Sequence, residues 1–348
     1  MVTLRRIAQQ AGVSIGTVSN VLNSPSSVSV ATSAKVLDAM KTLGYKPKAR
    51  RRPYKDPGIR TGLVGLLCID MPVEVLQLPF FLKFVASLES QLASRGLQMI
   101  LAQQPDPQVL PANICADRMD GAFLINYPAA RIVPALQRLH TVGVFGLPQR
   151  GFDWVTTDAS EHGRLAGEYL LGRGHRRLAF LNPQRAHDTF AEFGRSFQKS
   201  VASHGVDSLM LEAPEACCGT SLWTQQRYRQ ILEKLLQQGF FALPVQERPT
   251  GMYVANDQIA LATYQVLAEH GLRGGIDVEI ISNDNAEPFL AGLTPRPATI
   301  EPHYEEIACQ ALSRLLYRIQ HPDAPAGAKL LIPPRLIDPL EKAKDVRP

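Results

Sequence analysis

LRRIAQQAGVSIGTVSNVLN, residues 4–23, sets two short helical patterns on either side of a glycine turn. Thr3 is placed to cap the first helix, in which Leu4, Ile7, Ala8 and Ala11 recur on one face. Gly12 supplies the left-handed conformation that ends that helix, and Val13 fills the angle between the two. Ser14 then caps a second helix that turns Val18, Val21 and Leu22 inward. That leaves Ile15, Gly16, Thr17, Ser19 and Asn20 on its outer face. A third helix is expected over about 32–43, burying Val36, Leu37, Met40 and Leu43 and stopping at Gly44.

Charge gives this head a purpose. The chain of 348 residues carries a net charge of +5, from 37 Lys and Arg against 32 Asp and Glu. Residues 1–60 hold eleven basic residues and only Asp38 and Asp56 as acids, leaving 26 basic and 30 acidic residues for the rest. A positive head on a mildly negative body points to a polyanion as partner of the head alone. Two helices joined by a tight turn suit double-stranded DNA, with the second helix in the major groove and its early residues at base edges.

The stretch VTLRRIAQQAGVSIGTVSNVLN, residues 2–23, and KTLGYKP, residues 41–47, resemble the headpiece of the lactose-repressor (LacI/GalR) family of bacterial transcription regulators. The likeness runs without gaps over about 47 residues. It implies that Ile15, Gly16 and Asn20 read bases, while Ser14, Thr17 and Asn23 hold phosphates; Thr3 and Ser19 complete the expected contact set. Asn20 stands where an arginine is common in the family. An amide pairs with adenine N6 and N7 where arginine favours guanine, so a different operator preference is expected. The family's short hinge helix falls on residues 47–61. Here Pro53 and Pro57 break such a helix and Tyr54 sits near the expected leucine. An extended basic linker is expected instead, with Arg50, Arg51, Arg52 and Tyr54 at the DNA.

Beyond Gly62, apolar runs alternate with amphipathic stretches. Strands are expected at 62–69, 97–102, 121–125 and 142–147, with helices at 80–95, 108–118 and 129–140. A second series places strands at 177–181, 206–211, 251–255 and 278–282, with helices near 160–172, 188–204, 224–239 and 257–270. Alternating strand and helix implies parallel sheets covered on both faces. The fold class is therefore α/β: a three-helix helix-turn-helix headpiece and a two-lobed, periplasmic-binding-protein-like body. GRLAGEYLLGRGHRRLAFL (163–181), YVANDQIALA (253–262) and LTPRPATIEPHYEEIA (293–308) carry the family resemblance through the body. It implies a DNA-binding domain at 1–46, a linker at 47–61 and an effector-binding and dimerisation domain at 62–340. The first lobe would be about 62–161 and 294–322, the second about 162–293 and 323–340, with three crossings between them.

The resemblance implies a small-molecule effector, a sugar, nucleoside or other metabolite, in the cleft between the lobes. Asn256 and Asp284 follow strands directly and match effector-binding positions. Phe80 or Phe81, and Trp223 with Leu222 as its competitor, could stack on a flat ligand. The family's effector-gripping arginine is replaced by Phe193, and Arg195 lies on another helical face. With Phe190, this predicts a less polar or neutral ligand, or a repressor without effector control.

The remaining residues narrow the class further. Cys68, Cys115, Cys217, Cys218 and Cys309 are odd in number and form no C-x-x-C, so neither a disulfide framework nor zinc is expected. The eight histidines do not cluster at ligand spacing, and no cofactor is expected. No phosphate-binding glycine loop, H-E-x-x-H or G-x-S-x-G motif points to an enzyme. With no run of 18 apolar residues and polar Gln9 and Gln10 near the start, a cytoplasmic protein with no membrane partner is expected. The reading is a homodimeric repressor on a pseudo-palindromic operator. A solute-binding protein is the weaker alternative.

Overall fold

A computed structural model of the chain describes residues 2–23, 28–45, 54, 56–213 and 225–339. It divides into two compact units, residues 1–53 and 54–348. In the first, α1 (Leu4–Ala11), α2 (Ile15–Asn23) and α3 (Val30–Thr42) close on Ile7, Ala8, Val18, Val21, Val36, Ala39 and Met40. Thr3 caps α1, and Gly12 ends it at φ 65° while the Val13 N–H reaches back to the Ala8 carbonyl. Ser29 caps α3 through the Thr32 N–H, so the helix begins at Val30, two residues before the expected start. Leu37 departs from expectation, being 56% exposed. The inward face of α3 runs Val36, Ala39, Met40, and the next residue after Val36 is turned some 100° away from it.

The second unit is built on two six-stranded sheets. Of the first, β1 (Leu63–Ile69), β2 (Gln98–Gln104), β3 (Gly121–Ile125), β4 (Thr141–Val144) and β5 (Asp153–Thr157) come in sequence order. The second takes β6 (Leu178–Asn182), β7 (Ser208–Glu212), β8 (Gly251–Val254), β9 (Glu279–Asn283) and β10 (Ala298–Glu301). β11 (Lys329–Ile332) then returns to the first sheet beside β5, and β12 (Arg335–Ile337) pairs antiparallel with β10 in the second. All other pairings are parallel. Helices cover these sheets: α4 (Pro79–Ser94), α5 (Val133–Arg138), α6 (Ala159–Gly172), α7 (Asp188–Ala202), α8 (Gln225–Leu235), α9 (Asp257–Glu269), α10 (Glu287–Leu290) and α11 (Tyr304–Gln320). β1, β3, β4, β6 and β8 are buried almost throughout, as expected of parallel strands covered on both faces.

The placement of β10 and β11 shifts the expected lobe boundaries. Residues 298–301, assigned by sequence to the first lobe, pair with β9 of the second sheet, and residues 329–332 pair with β5 of the first. The chain passes between sheets at 157–159, 301–304 and 332–335. These late strands are three or four residues long, too short to show a period, and Pro333-Pro334 separates the last two. The helix expected at 108–118 is a series of turns. Pro107 and Pro111 interrupt it, and the Asp106 carboxylate accepts the Gln108 N–H in a local turn. β5 was hidden by its polar sequence. Asp153 is buried there because it accepts from Arg314 at 2.8 Å and from the N–H groups of Gly327 and Ala328. Among the described residues no helix is long and apolar enough to cross a membrane.

Candidate functional site

The carboxyl ends of the strands of both sheets meet around a cavity of about 390 Å³. Asp70 follows β1, Asn126 follows β3, Phe145 follows β4, Gln184 lies just past β6, Asn256 past β8, and Asp284 directly after β9. This is where parallel sheets gather ligands, because side chains from several strand ends converge there. Its size is that of a small-metabolite site.

Two of the cleft's walls are aromatic. On the first-sheet side Phe80 packs against Phe145 and Tyr304, with centroids 5.8 and 5.7 Å away. Phe81, the alternative from sequence, does not line the cavity. It is 2% exposed and shares with Phe84, Leu88 and Leu92 the face of α4 that packs into the core. On the second-sheet side Phe190 and Phe193 both line the cavity. Phe190 stacks on His187 at 4.2 Å and Phe193 on His162 at 4.7 Å. Burial lowers the pKa of His162 to about 4 and holds its imidazole neutral. Desolvation shifts the more exposed His187 in the same direction. Arg195 faces away, 66% exposed and paired with Glu192. Trp223 and Leu222 lie outside the described residues.

Polar groups bridge the cleft. The Tyr304 hydroxyl on α11 donates to Asp284 at 2.7 Å, and Lys83 on α4 donates to the Asn285 carbonyl at 3.0 Å. Tyr127, whose hydroxyl accepts the Leu147 N–H, faces Asp188 at the start of α7. Asn256 lines the cavity, but its side-chain oxygen caps α9 through the Ile259 N–H. Burial raises the carboxyls of Asp284 and Asp257 above the usual range, and the charge of Asp284 raises Asp257 further. Sequence reasoning passed over Gln184, His187, Asp188, Tyr127 and Tyr304. Gln184 was within reach by the rule that singled out Asn256 and Asp284, since it closely follows a strand. Tyr304 lay inside a stretch already noted.

In the first unit, Ile15 is 49% exposed, Gly16, Asn20 and Ser14 are exposed, and Thr17 and Ser19 are half-buried. Ser14 accepts the Thr17 N–H at 3.0 Å and bonds its hydroxyl at 2.9 Å, which fixes the start of α2. Asn23 ends α2. Arg50, Arg51 and Arg52 lie outside the described residues. Tyr54, expected in the linker at the DNA, groups with the second unit, donates its hydroxyl to the Thr61 carbonyl at 2.7 Å, and lies where a Cβ on Gly62 would stand. Residues 60–62, read as the end of the linker and the start of the first strand, are bound to the body by one carboxylate. Asp120 accepts from the N–H groups of Arg60, Thr61 and Gly62 at 2.6–3.0 Å and from the Thr61 hydroxyl at 2.9 Å.

Residues 3–48 match the family described as bacterial regulatory proteins, lacI family. Residues 168–338 match a periplasmic binding protein-like domain. The chain belongs to the lacI family. Among its relatives is the HTH-type transcriptional repressor PurR of Mannheimia succiniciproducens, 27% identical over 335 residues, covering 93% of this chain and 94% of that protein. The ribose operon repressor of Escherichia coli K12 is 27% identical over 331 residues, covering 92% and 94%. These relatives are transcriptional repressors, and the lacI-family chain is a regulator rather than an enzyme. The fold matches the lac repressor dimer bound to operator and the anti-inducer ONPF, with a TM-score of 0.71, 23% identity, and coverage of 97% and 98%. It also matches a LacI family regulator from Enterococcus faecium with bound ribose, at a TM-score of 0.64 and 22% identity, covering 79% and 97%.

Proposed function

We propose that this lacI-family chain is a cytoplasmic transcriptional repressor that binds a pseudo-palindromic operator as a homodimer and answers to a small molecule in the cleft. The domains follow from that reading: a DNA reader at 1–46, a basic linker at 47–61, and an effector and dimerisation body at 62–340, its lobes divided as the two sheets divide the chain. Ile15, Gly16 and Asn20 meet base edges, while Thr3, Ser14, Thr17, Ser19 and Asn23 position the helix on the backbone, helped by Arg50, Arg51 and Arg52. Two-fold protein symmetry mirrors two-fold DNA symmetry.

The observation that carries effector control is the Tyr304–Asp284 bond beside a cavity lined from both sheets. A ligand that binds one lobe arrangement better than the other shifts the balance between them. A coupling of about 1–3 kcal/mol to the DNA reader is the usual size for such control. The same cavity favours a ligand-controlled repressor over one without an effector. Phe80, Phe190, Phe193, Asn256 and Asp284 are its proposed ligand contacts.

Selection of the purified full chain on a randomised duplex library tests the regulator reading. Enrichment of one inverted-repeat sequence is expected, with affinity falling steeply as salt rises because phosphate neutralisation releases counterions. Failure to enrich any duplex over random competitor at moderate ionic strength removes it.

A further inference from the structure

Among the described residues three carboxylates line the cavity, those of Asp70, Asp188 and Asp284, and no lysine or arginine does. Lys83, whose charge acts on Asp284 from outside the lining, directs its ammonium to the Asn285 carbonyl. Among the described residues His187 is the one lining residue of basic type, and partial desolvation lowers its pKa, which favours the neutral imidazole. An anionic ligand would therefore add negative charge beside three carboxylates, with no cationic side chain among the described lining residues to balance it.

A second observation comes from Gln184. Its side chain lines the cavity and is 6% exposed, yet its Oε1 has no hydrogen-bond partner. A buried acceptor left without a donor is destabilising, so one held in a cavity wall marks where a donor arrives. Asp284 offers a second acceptor, because the Tyr304 hydroxyl meets Oδ1 of a carboxylate with two oxygens and the residue lines the cavity. Phe80, Phe190 and Phe193 add apolar wall for the body of such a ligand.

We propose that the cleft takes an organic cation, a protonated amine on a compact frame, with Asp284 as its counter-ion, Gln184 as an acceptor for its N–H groups, and the phenyl rings against its body. This rests on the reading of the cleft as the effector site and names the class of effector. Phe193 then marks a change in the charge of the ligand: an apolar face stands in place of a cation because the ligand brings its own.

Matched probes differing only in the head group test this on the full chain by calorimetric titration at pH 7.5: phenethylamine, 2-phenylethanol and phenylacetate, with glucosamine against glucose as a second frame. At least one amine is expected to bind ten-fold or more tightly than its neutral counterpart, with phenylacetate giving no measurable heat. Asp284→Asn should weaken the amine at least ten-fold and leave the alcohol within two-fold, its fold checked by the thermal midpoint. The proposal is overturned if an alcohol, glucose or phenylacetate binds as tightly as its amine. It is equally overturned if neither amine binds at millimolar concentration, or if Asp284→Asn leaves amine binding unchanged. Duplex selection on the same preparation separates the two readings. Operator binding without amine preference removes only the ligand class, and amine preference without operator binding removes only the regulator.

Discussion

At the scale of single residues, Asn20 is the sharpest point of contact between sequence and specificity. It is exposed on α2, where the family commonly has an arginine, and its amide offers one donor and one acceptor to adenine in place of two donors to guanine. Asn20→Ala is expected to weaken binding to the selected operator by about 1–3 kcal/mol and to relax preference at one base pair per half-site. Unchanged preference in a repeated duplex selection would remove Asn20 from the reading set. Single residues also show where sequence reading stops. Phe80 and Phe81 are neighbours, and only the rotation of α4 decides which faces the cleft. The spacing Phe81, Phe84, Leu88, Leu92 carried that information as a helical stripe. Nothing local announced that Tyr54 would fold back over Gly62, because its partner, the Thr61 carbonyl, is a backbone atom seven residues away.

Among the elements, the pair α6 and α7 is the most tightly fitted. A Cβ on Gly163 would stand 2.4 Å from both the Phe193 carbonyl oxygen and the Phe197 nitrogen, backbone atoms that cannot yield without moving the helix. Gly163→Ala should therefore destabilise the body by about 1–3 kcal/mol. Gly172→Ala, on the same helix with nothing within 4 Å, should be neutral or stabilise by up to about 1 kcal/mol. Denaturant melts of the two variants check the contrast, and equal effects would refute this account of the crossing. Since α7 also carries Phe190 and Phe193, the fit of Gly163 fixes the aromatic wall of the cleft. Elements with a long period were legible: the headpiece helices, the buried strands β1, β3, β6 and β8, and the long helices between them. Those missed, β5 and β10 to β12, are short, and β5 buries Asp153 through partners more than 160 residues away.

For the whole molecule, acid is the informative perturbation. His162 is fully buried and neutral, with a pKa near 4 against an ordinary value of about 6.5. Above pH 6.5 neither folded nor unfolded chain protonates it, and its contribution to stability is complete. As pH falls from 6.5 to 4 the unfolded chain takes up its proton first, so stability is lost, by up to about 3 kcal/mol. His162→Gln removes this group, and the advantage of wild type over the variant should shrink by about that amount across this window. Comparing the two chains cancels the opposing drift from Asp257 and Asp284, whose raised carboxyls favour lower pH. Parallel stability profiles for the two proteins would contradict the assignment.

The last two strands have a consequence for how the protein is made. β11 and β12 occupy only residues 329–337, yet one completes the edge of the first sheet and the other the edge of the second. On the ribosome, the headpiece can close its small core once residue 45 has emerged. Neither half of the body is whole until synthesis has passed residue 337, so the two halves are finished almost together.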